Sequence, residues 1–207
     1  MSTIKNIVFD MGHVLHYFRP DQYVRDVGVA EEDLALVKRA VFEGVAWICM
    51  DRGISAEETV VAHAYEQLPE RLHEKAKAIT YGWWKNELHP VPGMADVVRD
   101  LKRAGYKIYL LSNASRNLHT YFDRIPGTEY FDGKLISADH NLLKPQPDIY
   151  RKLFETFELV PEECLFVDDV AANVEAAIFC GMDGIIFRDD AKLLRKEMKK
   201  KGILIEE

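Results

Sequence analysis

The stretch from residue 4 to residue 15, IKNIVFDMGHVL, decides the fold. Ile7, Val8 and Phe9 run without a polar break, and Asp10 follows them directly. An unbroken apolar run suits a strand buried on both faces, hence a strand of a parallel sheet. Its carboxyl end is where open α/β sheets bind ligands. Taken alone, an aspartate there is equally a turn or helix cap. Gly12 permits a sharp turn and a close backbone approach.

Further along the chain the same pattern recurs. Apolar, β-branched or aromatic runs at Lys107–Leu111, Lys134–Ser137, Cys164–Val167 and Gly184–Phe187 join Ile4–Phe9 as strands. Helical spacing separates them. In Gly93–Ala104 the apolar residues are Met94, Val97, Val98 and Leu101, and Gly105 ends the run. Pro147–Leu159 and Ala172–Cys180 are the other two helices between strands. Strands alternating with helices predict an α/β fold, a doubly wound, Rossmann-like parallel sheet. Residues 17–86 break the alternation, with helical runs at Ala30–Phe42, Ser55–Gln67 and Pro69–Lys85 and no strand. Ser55 with Glu58 reads as a capping box. The expected organisation is a core of residues 1–16 and 87–207, with a helical cap of residues 17–86 inserted after the first strand.

Bulk composition fits that plan. The chain has 207 residues, 48% of them hydrophobic, and a net charge of -7, which argues against a broad nucleic-acid surface. No apolar run approaches the ~18 residues of a membrane span. Cys49, Cys164 and Cys180 lack metal-site spacing, and Cys164 and Cys180 read as core residues, which favours a reducing compartment and a cytoplasmic location. The tail from residue 192, KLLRKEMKKKGILIEE, reads as a solvated basic helix with a short exposed end.

Three more strand ends carry polar groups. YLLSNAS (109–115) offers the Ser112 hydroxyl and the Asn113 amide, which either cap the next helix or bond a phosphoryl oxygen. NLLKPQPDIY (141–150) places Lys144 before a proline-rich turn, as a surface lysine or as a compact charge for phosphate. CLFVDDVAANVEAA (164–177) sets Asp168 and Asp169 side by side. Adjacent like charges repel, so a bound cation would explain them, and hard oxygen ligands suit Mg2+. A doubly wound sheet gathers these strand ends in one crevice. A carboxylate nucleophile, phosphate donors, an ammonium and a metal site are the parts that phosphoryl transfer uses.

The four motifs resemble, in order, those of the haloacid dehalogenase superfamily, and the resemblance spans essentially the whole chain. FDMGHVL, LLSN, KPQPDIY and VDDVAAN are most similar to the subgroup of bacterial glucose-1-phosphate phosphatases and the N-terminal phosphatase domain of soluble epoxide hydrolase. That resemblance implies a Mg2+-dependent phosphatase of small phosphorylated metabolites, sugar phosphates favoured, with Asp10 as nucleophile and metal ligand. It also implies phosphoryl binding by Ser112 and Asn113, charge balance by Lys144, metal binding by Asp169 and the Gly12 main-chain oxygen, and support from Asp168 and Asn173. The cap corresponds to the family's C1 type. The departure is Gly12, because most family phosphatases carry there an aspartate that moves protons. General acid–base help is typically worth ~10²–10⁴-fold, so the expectation is a slower enzyme or a substrate with a good leaving group. His13 is a candidate replacement. With His16 so close, a zinc site was weighed, but no further spaced histidine or cysteine supports it.

For the substrate, Tyr17, Phe18, Trp47, Asp51 and Arg52 are cap candidates, Trp47 and the Asp51–Gly53 segment being placed between cap helices. Trp47 is equally a cap-core residue, and Trp83 and Trp84 are expected to pack between cap and core. Two other readings stand beside the phosphatase. One is a phosphate- or Mg2+-binding regulatory module that lost turnover with Gly12. The other is a metal-independent dehalogenase, against which the Asp168–Asp169 pair argues.

Overall fold

A computed structural model describes residues 3–85 and 88–205. The five core strands are β1 (Asn6–Phe9), β4 (Lys107–Ser112), β5 (Gly133–Ile136), β6 (Cys164–Asp168) and β7 (Asp183–Ile186). They form one sheet in the order β5-β4-β1-β6-β7, and all four pairings are parallel. The chain therefore starts at the centre, winds outward to one side, then returns to the other. The order reverses at β1, and such a switch point opens a crevice beyond the carboxyl ends of the strands. Asp10 follows β1, Ser112 ends β4 and Asp168 ends β6, so three polar residues far apart in the chain border one crevice.

Alternation along the strands explains how the sheet is covered. Ile7 and Phe9, Ile108 and Leu110, and Leu165 and Val167 face one core. Val8, Tyr109, Leu111, Cys164 and Phe166 face the other. Both faces are apolar because both carry helices. On the first lie α6 (Met94–Arg103) and α11 (Ala191–Lys200), and on the second α9 (Pro147–Phe157) and α10 (Ala171–Phe179). In α6 the Met94, Val97, Val98 and Leu101 side chains are fully buried, each stabilising the packed state by roughly 1.5–3 kcal/mol. The short helices α7 (Leu118–Tyr121) and α8 (Ser137–His140) follow β4 and β5.

Five helices make up the inserted block: α1 (Pro20–Asp26), α2 (Glu31–Phe42), α3 (Val45–Arg52), α4 (Glu57–Gln67) and α5 (His73–Thr80). The block is joined to the core by a ribbon in which β2 (His16–Tyr17) pairs antiparallel with β3 (His89–Pro90). Tyr17, expected within a strandless cap, thus belongs to its stem. The expected cap boundary at residues 86 and 87 lies outside the described residues.

Several expectations are corrected. Trp47, Asp51 and Arg52 lie on α3 rather than between helices; the helix is short, eight residues, and Gly53 (φ +82°) ends it. The capping box does not form. Helix α4 begins at Glu57 with Ala56 as its cap residue, and Ser55 Oγ instead donates to the Ala46 carbonyl at 3.3 Å. The run from Pro69 to Lys85 divides into a 3-10 turn at Glu70–Leu72, α5, and a second turn at Trp83–Lys85. At the C-terminus, Leu194 and Met198 of α11 and Ile203 beyond it are core residues, so this helix is anchored on one face. Cys164 is buried as expected, whereas Cys180 is only half-buried.

Candidate active site

Lys144 organises the crevice. Its Nζ donates to Asp10 Oδ1 and to Asp168 Oδ2, each at 2.7 Å, and its side chain is 1% exposed. A lysine is buried in this way only when paired. The backbone of Lys144 is held by Asn113: the Lys144 N–H donates to Asn113 Oδ1 at 2.8 Å, and Asn113 Nδ2 donates to the Lys144 carbonyl at 3.0 Å. The Asn113 side chain was expected on a phosphoryl oxygen and instead positions Lys144. Its amide pairs both ways with the backbone N–H and C=O of one residue, a role visible only once the two loops meet.

Asp168 is fully enclosed. Besides Lys144 it accepts the Val170 N–H at 2.8 Å and Asn173 Nδ2 at 3.1 Å from each oxygen. Tyr150 Oη fixes Asn173 in turn by donating to its carbonyl at 2.7 Å. Asp169, next along the chain, is half-buried and borders the cavity. Carboxylate oxygens of Asp10, Asp168 and Asp169 lie within 4.8 Å of one another. One ammonium facing three carboxylates leaves an excess of negative charge. The donor set is all oxygen, and it fits a divalent hard cation such as Mg2+.

The ionisation of these groups follows from their setting. Burial, with the neighbouring Asp168, raises Asp10 to about 6, although Lys144 and the Met11 N–H pull it down. Burial works against the charge on Lys144, but Asp10 and Asp168 outweigh it and raise its pKa. Asp169 is raised by burial and by Asp168, with His13 acting in the opposite sense. A bound cation would act against both raised carboxylates, Asp10 and Asp169.

The cavity over these residues has a volume of about 260 Å³. Asp10, Gly12, His13, Ser112, Asn113, Lys144, Asp169 and Asn173 line its strand-end side. Of the cap candidates, Phe18, Trp47 and Asp51 also line the cavity, with Trp83 and Tyr121. Tyr17 and Arg52 do not reach it. Tyr17 Oη donates to Asp189 Oδ1 at 2.5 Å, and Arg52 Nε donates to the Asn141 carbonyl at 3.1 Å. Trp83 and Trp84 pack on Tyr121 of the core with ring centroids 5.6 and 6.4 Å away, as expected of residues between cap and core. His16 is wholly buried with a pKa lowered by burial to about 4, and its Nδ1 donates to the Tyr17 carbonyl at 3.0 Å; it is a stem residue outside the cavity.

A cap-to-core latch went unread in the sequence. Ser137 Oγ accepts the Ala114 N–H at 2.9 Å and reaches the Asp51 carbonyl at 2.5 Å. Gly53 packs so tightly on α8 that a Cβ there would lie 2.0 Å from the Ala138 carbonyl oxygen. A signal existed, because Ser137 is one more polar residue at a strand end. Ser115 and Tyr121, also on the cavity wall, gave none: both sit in a helix-cap context that suits any fold.

Comparison with known proteins follows from this geometry. A haloacid dehalogenase-like hydrolase profile matches residues 4–181. A sesquiterpene phosphatase of Aspergillus oryzae is 27% identical over 191 residues, 91% of this chain and 92% of that protein. Bifunctional epoxide hydrolase 2 of Rattus norvegicus is 35% identical over 75 residues, 36% of this chain and 14% of that one. Among solved structures, a haloacid dehalogenase family enzyme of Bacteroides thetaiotaomicron in complex with magnesium and inorganic phosphate superimposes with a TM-score of 0.67 at 20% identity, covering 92% of this chain and 98% of its own. The profile match runs from the strand before Asp10 to the end of the helix after Asp169, and the chain is an enzyme that belongs to the haloacid dehalogenase-like hydrolases.

Proposed function

We propose that this chain is a Mg2+-dependent phosphatase of small phosphomonoesters that works through an aspartyl-phosphate on Asp10. The observation that carries the proposal is the Asp10–Lys144–Asp168 bridge inside a cavity bordered by Asp169. Its phosphatase relatives support the reaction, and the magnesium and phosphate in the Bacteroides enzyme support the ion.

In this reading an Asp10 oxygen attacks phosphorus while the bond to the alcohol oxygen breaks, and the departing alkoxide takes a proton. Water then attacks the same phosphorus, the Asp10–phosphorus link breaks, and phosphate leaves with the carboxylate restored. Lys144 holds Asp10 in line and balances charge on the phosphoryl oxygens, and Ser112 at the end of β4 offers its hydroxyl to them. Asp168 and Asn173 orient Lys144 and the loop after β6, leaving Asp169 and Asp10, with the Gly12 carbonyl, to hold Mg2+. Bound there, the ion would supply a positive counter-charge for phosphate. Gly12 provides no proton donor. His13, on the cavity wall and close enough to Asp169 to act on its charge, is the candidate for that role.

The sugar preference has weaker support, since Arg52 and Tyr17 are engaged outside the cavity. Three unpaired cysteines favour a reducing compartment such as the cytoplasm, and no helix among the described residues is long and apolar enough to cross a membrane. The test is hydrolysis of p-nitrophenyl phosphate with Mg2+ and with a chelator. Asp10→Asn should remove activity in the presence of the ion. Turnover that persists in that variant, or that ignores the chelator, would refute the proposal.

A further inference from the structure

Four rings line the cavity alongside the strand-end polar groups. Phe18 and Trp83 have centroids 5.1 Å apart, Trp47 and Trp83 6.0 Å, Phe18 and Trp47 6.1 Å, and Trp83 and Tyr121 5.6 Å. They form one continuous apolar wall, with Met11 beside it. The phosphoryl group must sit at the strand ends, so the rest of a substrate meets these rings.

The polar groups at this wall are few and mostly engaged. The Asp51 carboxyl already accepts the Ser115 N–H and the Trp47 indole N–H. Tyr121 Oη points to Met11 Sδ at 4.0 Å. Trp83 Nε1 is buried without a partner. Among the described residues, Lys144 is the one lysine or arginine on the cavity wall, and it is shared by two carboxylates, while Arg52 is turned to Asn141. A second phosphate or a carboxylate on the substrate would find no cation here. A polyhydroxylated ring would bury several hydroxyls against aromatic carbon, and each left without a partner weakens binding.

Building on the phosphatase reading, we infer that the enzyme selects phosphomonoesters of uncharged, apolar alcohols, with the aromatic ring or short branched hydrocarbon of the alcohol seated on the Phe18–Trp47–Trp83–Tyr121 wall. Burial pushes the Asp51 carboxyl up to about 8, and this agrees with the inference, since burial that disfavours the charge also favours an apolar neighbour. Selectivity comes from the cap, while the strand ends read the phosphoryl group.

Two measurements test the inference. In the first, kcat/KM is compared with Mg2+ for benzyl phosphate and isopentenyl phosphate against glucose 1-phosphate, glucose 6-phosphate and 3-phosphoglycerate. Both apolar esters should exceed all three others by tenfold or more, the effect of burying a side-chain-sized apolar group. A smaller margin, or preference for a sugar or an anionic ester, overturns the inference while leaving the phosphatase reading intact. In the second, calorimetry with the full chain and Mg2+ compares benzylphosphonate with methylphosphonate, which needs no turnover. Binding of benzylphosphonate should be at least tenfold tighter, and that ratio should shrink in Phe18→Ala. Equal affinities overturn the inference. If no ester is hydrolysed but the affinity ratio holds, the phosphatase reading fails and the apolar subsite stands.

Discussion

Gly53→Ala should loosen the cap from the core. Gly53 has φ +82°, and an added Cβ would lie 2.0 Å from the Ala138 carbonyl oxygen, a backbone atom that cannot swing aside. The left-handed conformation costs a non-glycine residue roughly 1–2 kcal/mol. Relieving the overlap means moving α3 away from α8 by more than about 1 Å, since ordinary contact begins near ~3.4 Å. That movement stretches the Ser137–Asp51 hydrogen bond from 2.5 Å and the Arg52–Asn141 bond from 3.1 Å, each contributing about 1 kcal/mol. The sum is roughly 3–4 kcal/mol, which for a chain of this size is a fall of roughly 6–16 °C in Tm. Asp51 and Trp47 ride on α3, so kcat/KM for p-nitrophenyl phosphate should fall as well. Gly105→Ala is the control. Gly105 has φ +93° with nothing within 4 Å of its Cβ position, so it incurs the conformational cost without the collision. Thermal melts and steady-state rates on both variants separate the two effects. If Gly53→Ala loses no more stability than Gly105→Ala and keeps wild-type rates, the latch reasoning is wrong.

Lys144→Met leaves Asp10 and Asp168 buried without their cation, and should destabilise the fold at pH 8 by about 3–5 kcal/mol. Asp10 is already raised in the folded protein, so its protonated form favours folding and stability falls as pH rises from its unfolded value towards about 6. Loss of Lys144 extends that fall to higher pH; urea midpoints should therefore show a larger deficit at pH 8 than at pH 5, and an equal deficit at both would refute the pairing argument. For Asp51, burial pushes the folded pKa up to about 8, well above the ordinary carboxylate range, so stability present below about pH 4 is progressively lost up to pH 8. Asp51→Asn should flatten that decline by about 2–5 kcal/mol, the lower end allowing for water in the cavity; matching pH profiles for variant and wild type would show that Asp51 is not held neutral.

The sheet was legible because its signal is local. Continuous apolar runs such as IVF and LFV can only be central parallel strands, and each ends on the polar residue that borders the crevice. Asp10, Ser112, Lys144 and Asp169 follow from that rule and from motif order. What the side chains do there was not legible, because it depends on which loops meet. Asn113 supplies an amide that suits a phosphoryl oxygen and a peptide group equally well, and only the approach of the Lys144 loop selects the peptide. The cap was harder still. Helix α3 is eight residues long, and its burial comes from packing on the core rather than from its own periodicity. Tertiary contact therefore decided that Asp51 faces the cavity while Arg52, one residue on, faces Asn141. By itself the sequence determined the sheet, the strand-end positions and the kind of chemistry they can support. The tertiary structure alone decided the aromatic wall, since Phe18, Trp47, Trp83 and Tyr121 come from four separate segments and share a cavity only after the cap has closed on the core.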